Sequence, residues 1–143
     1  MMPTVHLEKL KHNLLKALEN TVPDQVSFAY LFGSQATSQA RPDSDIDLAI
    51  FPEPNIPPKD IWNAAQSLAS QLNCDIDLIN LREANTVLRF QIVSEGKLLF
   101  DKHNQAPEFE VDTFRMYQDL QYNRKDNIKG LLERWNDQEE ING

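Results

Sequence analysis

At 143 residues and 16.5 kDa the chain suits one domain, large enough to bury a core but with no comfortable room for a second catalytic unit. Its 22 acidic and 14 basic residues leave a formal net charge of −8 and a pI near 4.8. That balance disfavours a broad nucleic-acid surface, because clustered Lys and Arg supply most non-specific affinity for phosphate polymers, and it accommodates a basic protein partner more readily.

One cysteine, Cys74, excludes an internal disulfide and points to a reducing, cytoplasmic setting; it opens an apolar run, as a small buried thiol does. No apolar stretch approaches the ~20 residues a bilayer span needs. Leu7, Leu10, Leu14 and Leu18 recur at helical steps, so Thr4 to Asn20 reads as an amphipathic helix with Thr4 as its N-cap. Its mixed charge fits neither a signal peptide nor an anchor. Val22-Pro23-Asp24 ends it, and Val26 to Phe32 reads as the first strand.

After that strand come Gly33-Ser34, ten further residues, and Asp45-Ile46-Asp47 at the head of a second apolar run reaching Phe51. Strand alternation sends Asp45 and Asp47 to one face and Ile46, Leu48 and Ile50 to the other. Two carboxylates roughly 4 Å apart repel by about 4 kcal/mol at an effective dielectric near 20, so they must share a proton, splay into water or hold a cation. Magnesium suits them, being a hard ion held by one or two carboxylates plus substrate phosphates. Gly33 then serves a tight turn, through positive φ or close approach to a ligand. Ser34 and the N–H groups after it, opening a short helix at Gln35 to Ser38, present donors to a phosphate. A plainer alternative makes Arg41-Pro42-Asp43-Ser44 only a turn and leaves both acids on the solvent face of an edge strand.

Pro52, Pro54, Pro57 and Pro58 make a stiff connection. Asp60 to Leu72 is a second helix, with Ile61, Ala64, Ala65, Leu68 and Leu72 on its core face, and Asp75 to Leu81 is a strand. Asp75 and Asp77 share a parity, so alternation does not choose between them; Asp77 lies deeper in the strand and is followed by Leu78-Ile79. Arg82 to Ser94 is a third helical segment with Ala84, Val87, Leu88 and Ile92 inward and with Arg82 and Arg89 on a solvated face. Gly96 stops it, Lys97 to Phe100 is a closing strand, and Asp101 to Asn104 is a polar turn. Pro107 to Trp135 is a long helix with Phe114, Tyr117, Leu120, Ile128, Leu131 and Trp135 near one stripe, interrupted by Arg124. That stripe either closes the core of its own domain or, in its distal half from Arg124, contacts a partner. His6, His12 and His103 have no partners at metal-ligand spacing and receive no role.

The Gly33-Ser34, ten residues, Asp45-x-Asp47 pattern resembles the signature of the nucleotidyltransferase superfamily with the DNA polymerase beta-like fold, over roughly 28–100. The short length resembles the minimal nucleotidyltransferases, the MntA-type antitoxins encoded beside HEPN toxins. The resemblance implies an α/β (α+β) fold: a small mixed sheet with helices packed on it and a long C-terminal helix. It implies one domain over 1–143, with a core at about 22–100 and a helical extension at about 107–137. Asp45, Asp47 and a third carboxylate, Asp77, become the catalytic and metal-binding residues, Gly33 and Ser34 the nucleotide-binding ones, with Mg2+ as cofactor and ATP as substrate.

The implied activity is transfer of AMP from ATP to a tyrosine hydroxyl of a cognate HEPN ribonuclease toxin, which neutralises the toxin within a hetero-oligomer. The toxin's own Arg, four to six residues, His motif is missing here, as suits the antitoxin half. Two alternatives stand beside it: an antitoxin that inhibits by binding alone, and a nucleotidyltransferase acting on a small molecule. The second would want an acceptor-binding domain that 143 residues hardly supply. Retention of all three acids favours catalysis over idle binding.

Overall fold

The computed structural model describes residues 2–33 and 45–142, and the side chains from Glu8 to Trp135 among them. The elements run α1 (Met2–Thr21), β1 (Val26–Phe32), β2 (Ile46–Pro52), α2 (Pro58–Leu72), β3 (Ile76–Asn80), α3 (Thr86–Glu95), β4 (Lys97–Asp101) and α4 (Ala106–Asn142). The strands form one sheet in the order β3-β2-β1-β4. β1 pairs antiparallel with β2 and with β4, whereas β2 and β3 are parallel and need α2 as their crossover.

Local chemistry sets the bounds of these elements. Pro58 opens α2 at the position where a missing N–H costs nothing, and Asn73, in the left-handed region at φ 54°, closes it. Asp101 accepts from the backbone N–H groups of Gln105 and Ala106, both at 2.9 Å, and so serves donors that the first turn of α4 leaves free. Alternation on β2 sends Ile46, Leu48 and Ile50 into a layer with Leu14 and Leu18 of α1 and Leu68 of α2. Ala49 and Phe51 face the opposite layer, with Phe28, Tyr30, Ile92 and Phe109 beneath α3 and α4. Leu14, Leu48, Ile50 and Leu68 are wholly buried, each stabilising the fold by about 1.5–3 kcal/mol. A register shift between Val26 and Phe28 explains why these two residues, of one parity, enter opposite layers.

Four expectations need correcting. α1 begins at Met2, so Thr4 lies within it and does not cap it. The third helix begins at Thr86 rather than at Arg82, because the Asn85 side chain accepts from the Leu88 N–H at 2.8 Å and caps it there. With the start moved, Val87 faces solvent instead of the core. Arg82 and Arg89 do not lie on a solvated face: Arg82 donates to the Pro52 carbonyl and stacks over Phe51 at 4.3 Å, and Arg89 donates to the carbonyls of Leu81 and Arg82 at 2.8 and 2.9 Å. Each guanidinium donates to main-chain carbonyls at or just beyond a strand end.

The long helix divides into two parts. Near its start, Phe109 packs into the layer beneath α3, Tyr30 donates a hydrogen bond to Glu110, Ser27 donates one to Gln105, and Thr113 is buried. Phe90 of α3 stacks on Tyr117 with ring centroids 3.8 Å apart. Beyond Tyr117 the apolar positions are exposed, Ile128 at 50% and Leu131 at 59%. The proximal turns therefore close the core and the distal half does not.

Candidate active site

β1 ends at Phe32, opposite Asp47 of the antiparallel β2, and Gly33 follows at φ 74°. That conformation is one that side chains other than glycine's rarely adopt. Space imposes the same choice, since a Cβ on Gly33 would lie 2.0 Å from Oδ2 of Asp47. The Asp47 carboxylate thus rests in a recess that exists because residue 33 has no side chain. Gly96 makes a second close approach: a Cβ there would meet the Ile92 carbonyl at 2.5 Å and the Leu31 carbonyl at 3.1 Å. The C-terminal end of α3 therefore abuts the end of β1 that carries Gly33.

On its other side Asp47 is level with Asp77 of the parallel β3, at a strand spacing of about 4.8 Å. Asp45 sits exposed just before β2. The consequence for Asp47 is electrostatic: burial first, then the charge of Asp77, then that of Asp45, hold its carboxyl above the usual carboxylate range. Asp47 and Asp77 share the odd parity of Ala49, Phe51 and Ile79, so they belong to the α3/α4 side of the sheet. Asp75 precedes β3, where its carbonyl accepts from the Ile46 N–H at 3.0 Å. Its charge, after burial and ahead of that of Asp45, raises the pKa of the half-buried Cys74 thiol. The ladder thus pairs Asp77, not Asp75, with Asp47, a distinction that alternation alone leaves open.

Ser34, the helix expected at Gln35 to Ser38 and the turn at Arg41 to Ser44 lie outside the described residues. Among the described residues no three His, Cys, Asp or Glu side chains form a ready-made cluster for one metal ion. The donor set nonetheless fits a hard divalent cation, because it offers carboxylate oxygens and no soft ligand. The recess over Gly33 fits it too, since it holds the Asp47 carboxylate beside a second acid against the electrostatic preference of both.

One positioning residue goes unnoticed in the sequence. Asn80 is buried at the far end of β3, where its Nδ2 donates to Oδ1 of Asn55 at 2.8 Å and its Oδ1 accepts from the Arg82 N–H at 3.0 Å. With the Leu81 N–H donating to the Ile50 carbonyl at 2.8 Å, it ties β3 to the chain leaving β2 and so holds the register that sets Asp77 beside Asp47. The available signal is an amide inside Leu78-Ile79-Asn80-Leu81.

Residues 12–105 match the family model described as polymerase beta, nucleotidyltransferase. The chain is 38% identical over 127 residues to the protein adenylyltransferase MntA of Shewanella oneidensis, covering 88% of this chain and 91% of that one. A crystal structure of a toxin-antitoxin with AMP-PNP superposes with a TM-score of 0.74 at 36% identity, over 85% of this chain and 98% of that one. The MNT antitoxin complex with the tri-AMPylated HEPN toxin of Shewanella oneidensis superposes at 0.71 with 34% identity, over 88% and 98%. No helix among the described residues is long and apolar enough to cross a membrane.

Proposed function

Because the chain belongs to the polymerase beta nucleotidyltransferase family, we propose that it is a Mg2+-dependent protein adenylyltransferase and antitoxin, which moves AMP from ATP to a tyrosine hydroxyl of a cognate HEPN ribonuclease toxin. The observation that carries this reading is the level pairing of Asp47 with Asp77 beside the Gly33 recess. The similarity to an MntA enzyme and to an antitoxin in complex with an AMPylated HEPN toxin supports the choice of acceptor.

In this reading Asp45, Asp47 and Asp77 would hold the Mg2+, which when bound would neutralise phosphate charge and lower the pKa of the acceptor hydroxyl. Gly33 leaves room for the Asp47 carboxylate, and Ser34 with the N–H groups after it receives the triphosphate. The tyrosine oxygen forms a bond to the α-phosphorus, the bond from that phosphorus to the bridging oxygen breaks, pyrophosphate leaves in line, and the phenolic proton passes to solvent. Asp77 bears on transfer more than on nucleotide affinity, because it orients the acceptor side of the site. The modified tyrosine then blocks the ribonuclease.

Co-expression with a HEPN protein encoded beside it, followed by intact mass of that protein, tests the reaction and the acceptor together. A shift by a whole number of adenylate units is expected. An unmodified toxin that is nonetheless bound and inhibited identifies an antitoxin that acts by binding alone.

A further inference from the structure

We propose that the acceptor protein presents its tyrosine on an extended segment that adds to the open edge of β3 as a further strand, with the tyrosine level with Asp77. This rests on the transferase reading above and adds how the acceptor is held. The Asp75 carbonyl accepts from the Ile46 N–H and the Leu81 N–H donates to the Ile50 carbonyl, while Asp77 is level with Asp47 and Ile79 with Ala49. The odd residues of β3 therefore direct their main-chain groups to β2. In a parallel ladder the residues between them, Ile76 and Leu78, turn N–H and C=O to the other side, where no strand lies among the described residues. Asn80 does not extend this row, because its carbonyl accepts from the N–H groups of Glu83 and Ala84, each at 3.1 Å. Two donors and two acceptors remain in a line, one of each on either residue, and they fit one short strand.

The sheet's other edge is less receptive. β4 carries a register shift opposite Ala29 and Tyr30 and opens on the exposed Lys97, and bulges and edge lysines keep strands from pairing. β3 has no such shift and lies level with β2 from Ile76 to Asn80. The two sides of its edge differ in chemistry. Ser67 and Gln71 of α2 meet Thr21 of α1, and Ala64 and Leu68 are buried towards the sheet. The flank of α2 turned away from α1 then carries Trp62, 65% exposed, with Ala65 and Ala69 at the next helical steps. On the opposite side of the edge Asp77 is exposed. Alternate side chains of an added strand thus meet an apolar flank and a carboxylate face in turn.

Strand addition fixes which acceptor atom reaches the site. Residues level with one another on strands about 4.8 Å apart send their side chains to the same face, so a tyrosine level with Asp77 carries its hydroxyl over the face that holds Asp47 and Asp77. Main-chain hydrogen bonds supply the hold and the alternate side chains the choice of segment, with no separate acceptor-binding domain. Charge narrows the occupant further. The carboxylates exposed at this end of the sheet, Asp45 and Asp77, belong to a chain of net −8, and a tyrosine with basic neighbours complements them. A second copy of the chain does not. Antiparallel pairing that engages both Ile76 and Leu78 sets the two Asp77 carboxylates directly opposite each other, where like charges destabilise a strand pair.

Amide exchange resolved to single residues, in the free full-length chain and in its complex with the HEPN toxin encoded beside it, tests the proposal together with AMP transfer. In the free chain the Ile76 and Leu78 amides should exchange faster than those of Asp77 and Ile79, and in the complex they should slow by roughly tenfold or more. Ile76→Pro removes one outward N–H at the first position of the strand, where proline is tolerated; Ile76→Ala shortens the side chain and keeps that N–H. Ile76→Pro should show a KM for toxin roughly 3- to 10-fold above that of Ile76→Ala, the scale of one hydrogen bond, with MgATP affinity and the unfolding midpoint alike in the two. Ile76 and Leu78 amides that exchange in the complex as in the free chain, while adenylate is transferred, overturn the strand addition and leave the transferase reading intact. Equal KM values in the two folded variants overturn it as well. Amides slowed by a toxin that receives no adenylate support the edge and overturn the transferase reading. A free chain that sediments as a dimer with these amides already slow overturns the proposal in favour of a second copy.

Discussion

The Oδ2 atom of Asp47 occupies the space that a side chain on Gly33 would need, 2.0 Å from where its Cβ would lie. One strand end therefore both turns the chain and receives an acid from its neighbour. Gly33→Ala should act twice. The left-handed backbone costs about 1–2 kcal/mol in an alanine, which chemical denaturation will read as a lower midpoint. Displacement of the Asp47 carboxylate should also reduce adenylyl transfer by more than that loss of folded protein explains.

Asp77→Asn should separate chemistry from binding. Transfer is expected to fall by roughly a hundredfold or more, on the scale of losing one preorganised charge-stabilising group, with a much smaller change in MgATP affinity. Single-turnover transfer beside equilibrium nucleotide binding distinguishes the two. Asp75→Asn should leave transfer near the unsubstituted rate, because its carbonyl, not its carboxylate, holds the strand register.

The raised carboxyl of Asp47 makes the fold pH-dependent in a defined direction. A carboxyl whose pKa is higher folded than unfolded binds more protons in the folded state, so stability falls as pH rises from the ordinary carboxylate value of about 3.9 through the raised one. Above that window the ionised group is a constant penalty. In chelator at pH 7, Asp47→Asn should therefore unfold at a higher temperature than the unsubstituted chain. Adding Mg2+ should raise the midpoint of the unsubstituted chain and leave that of the variant nearly unmoved.

Tyr30→Phe removes the donor that meets Glu110 and leaves a carboxylate facing an apolar layer. A loss of about 1–2 kcal/mol is expected, with faster amide exchange in the proximal turns of α4. Glu110→Gln, which can still accept from Tyr30, should cost less.

Much of this arrangement was legible in the chain itself. Val26 to Phe32 reads as a strand because it is an apolar run between turn residues, and the parity of Asp45 and Asp47 against Ile46, Leu48 and Ile50 follows from the pleat. What periodicity does not carry is register. Asp75 and Asp77 are equivalent by alternation and become distinct only when β3 lies level with β2, a pairing held by Asn80 and Leu81 at the far end. Arg82 and Arg89 resemble any surface cations until they are seen to donate to the carbonyls of Pro52 and Leu81. The stripe of α4 has the same pattern where it is buried and where it is bare, so its sequence alone does not say which part the domain covers.

The most direct measurement is transfer of label from ATP, labelled in its α-phosphate, to purified HEPN toxin by the unsubstituted chain and by Asp45→Asn/Asp47→Asn. The carboxylate site predicts labelled toxin with the unsubstituted chain and Mg2+, and none with chelator or with the double variant. Label transferred at the normal rate by the double variant would contradict it.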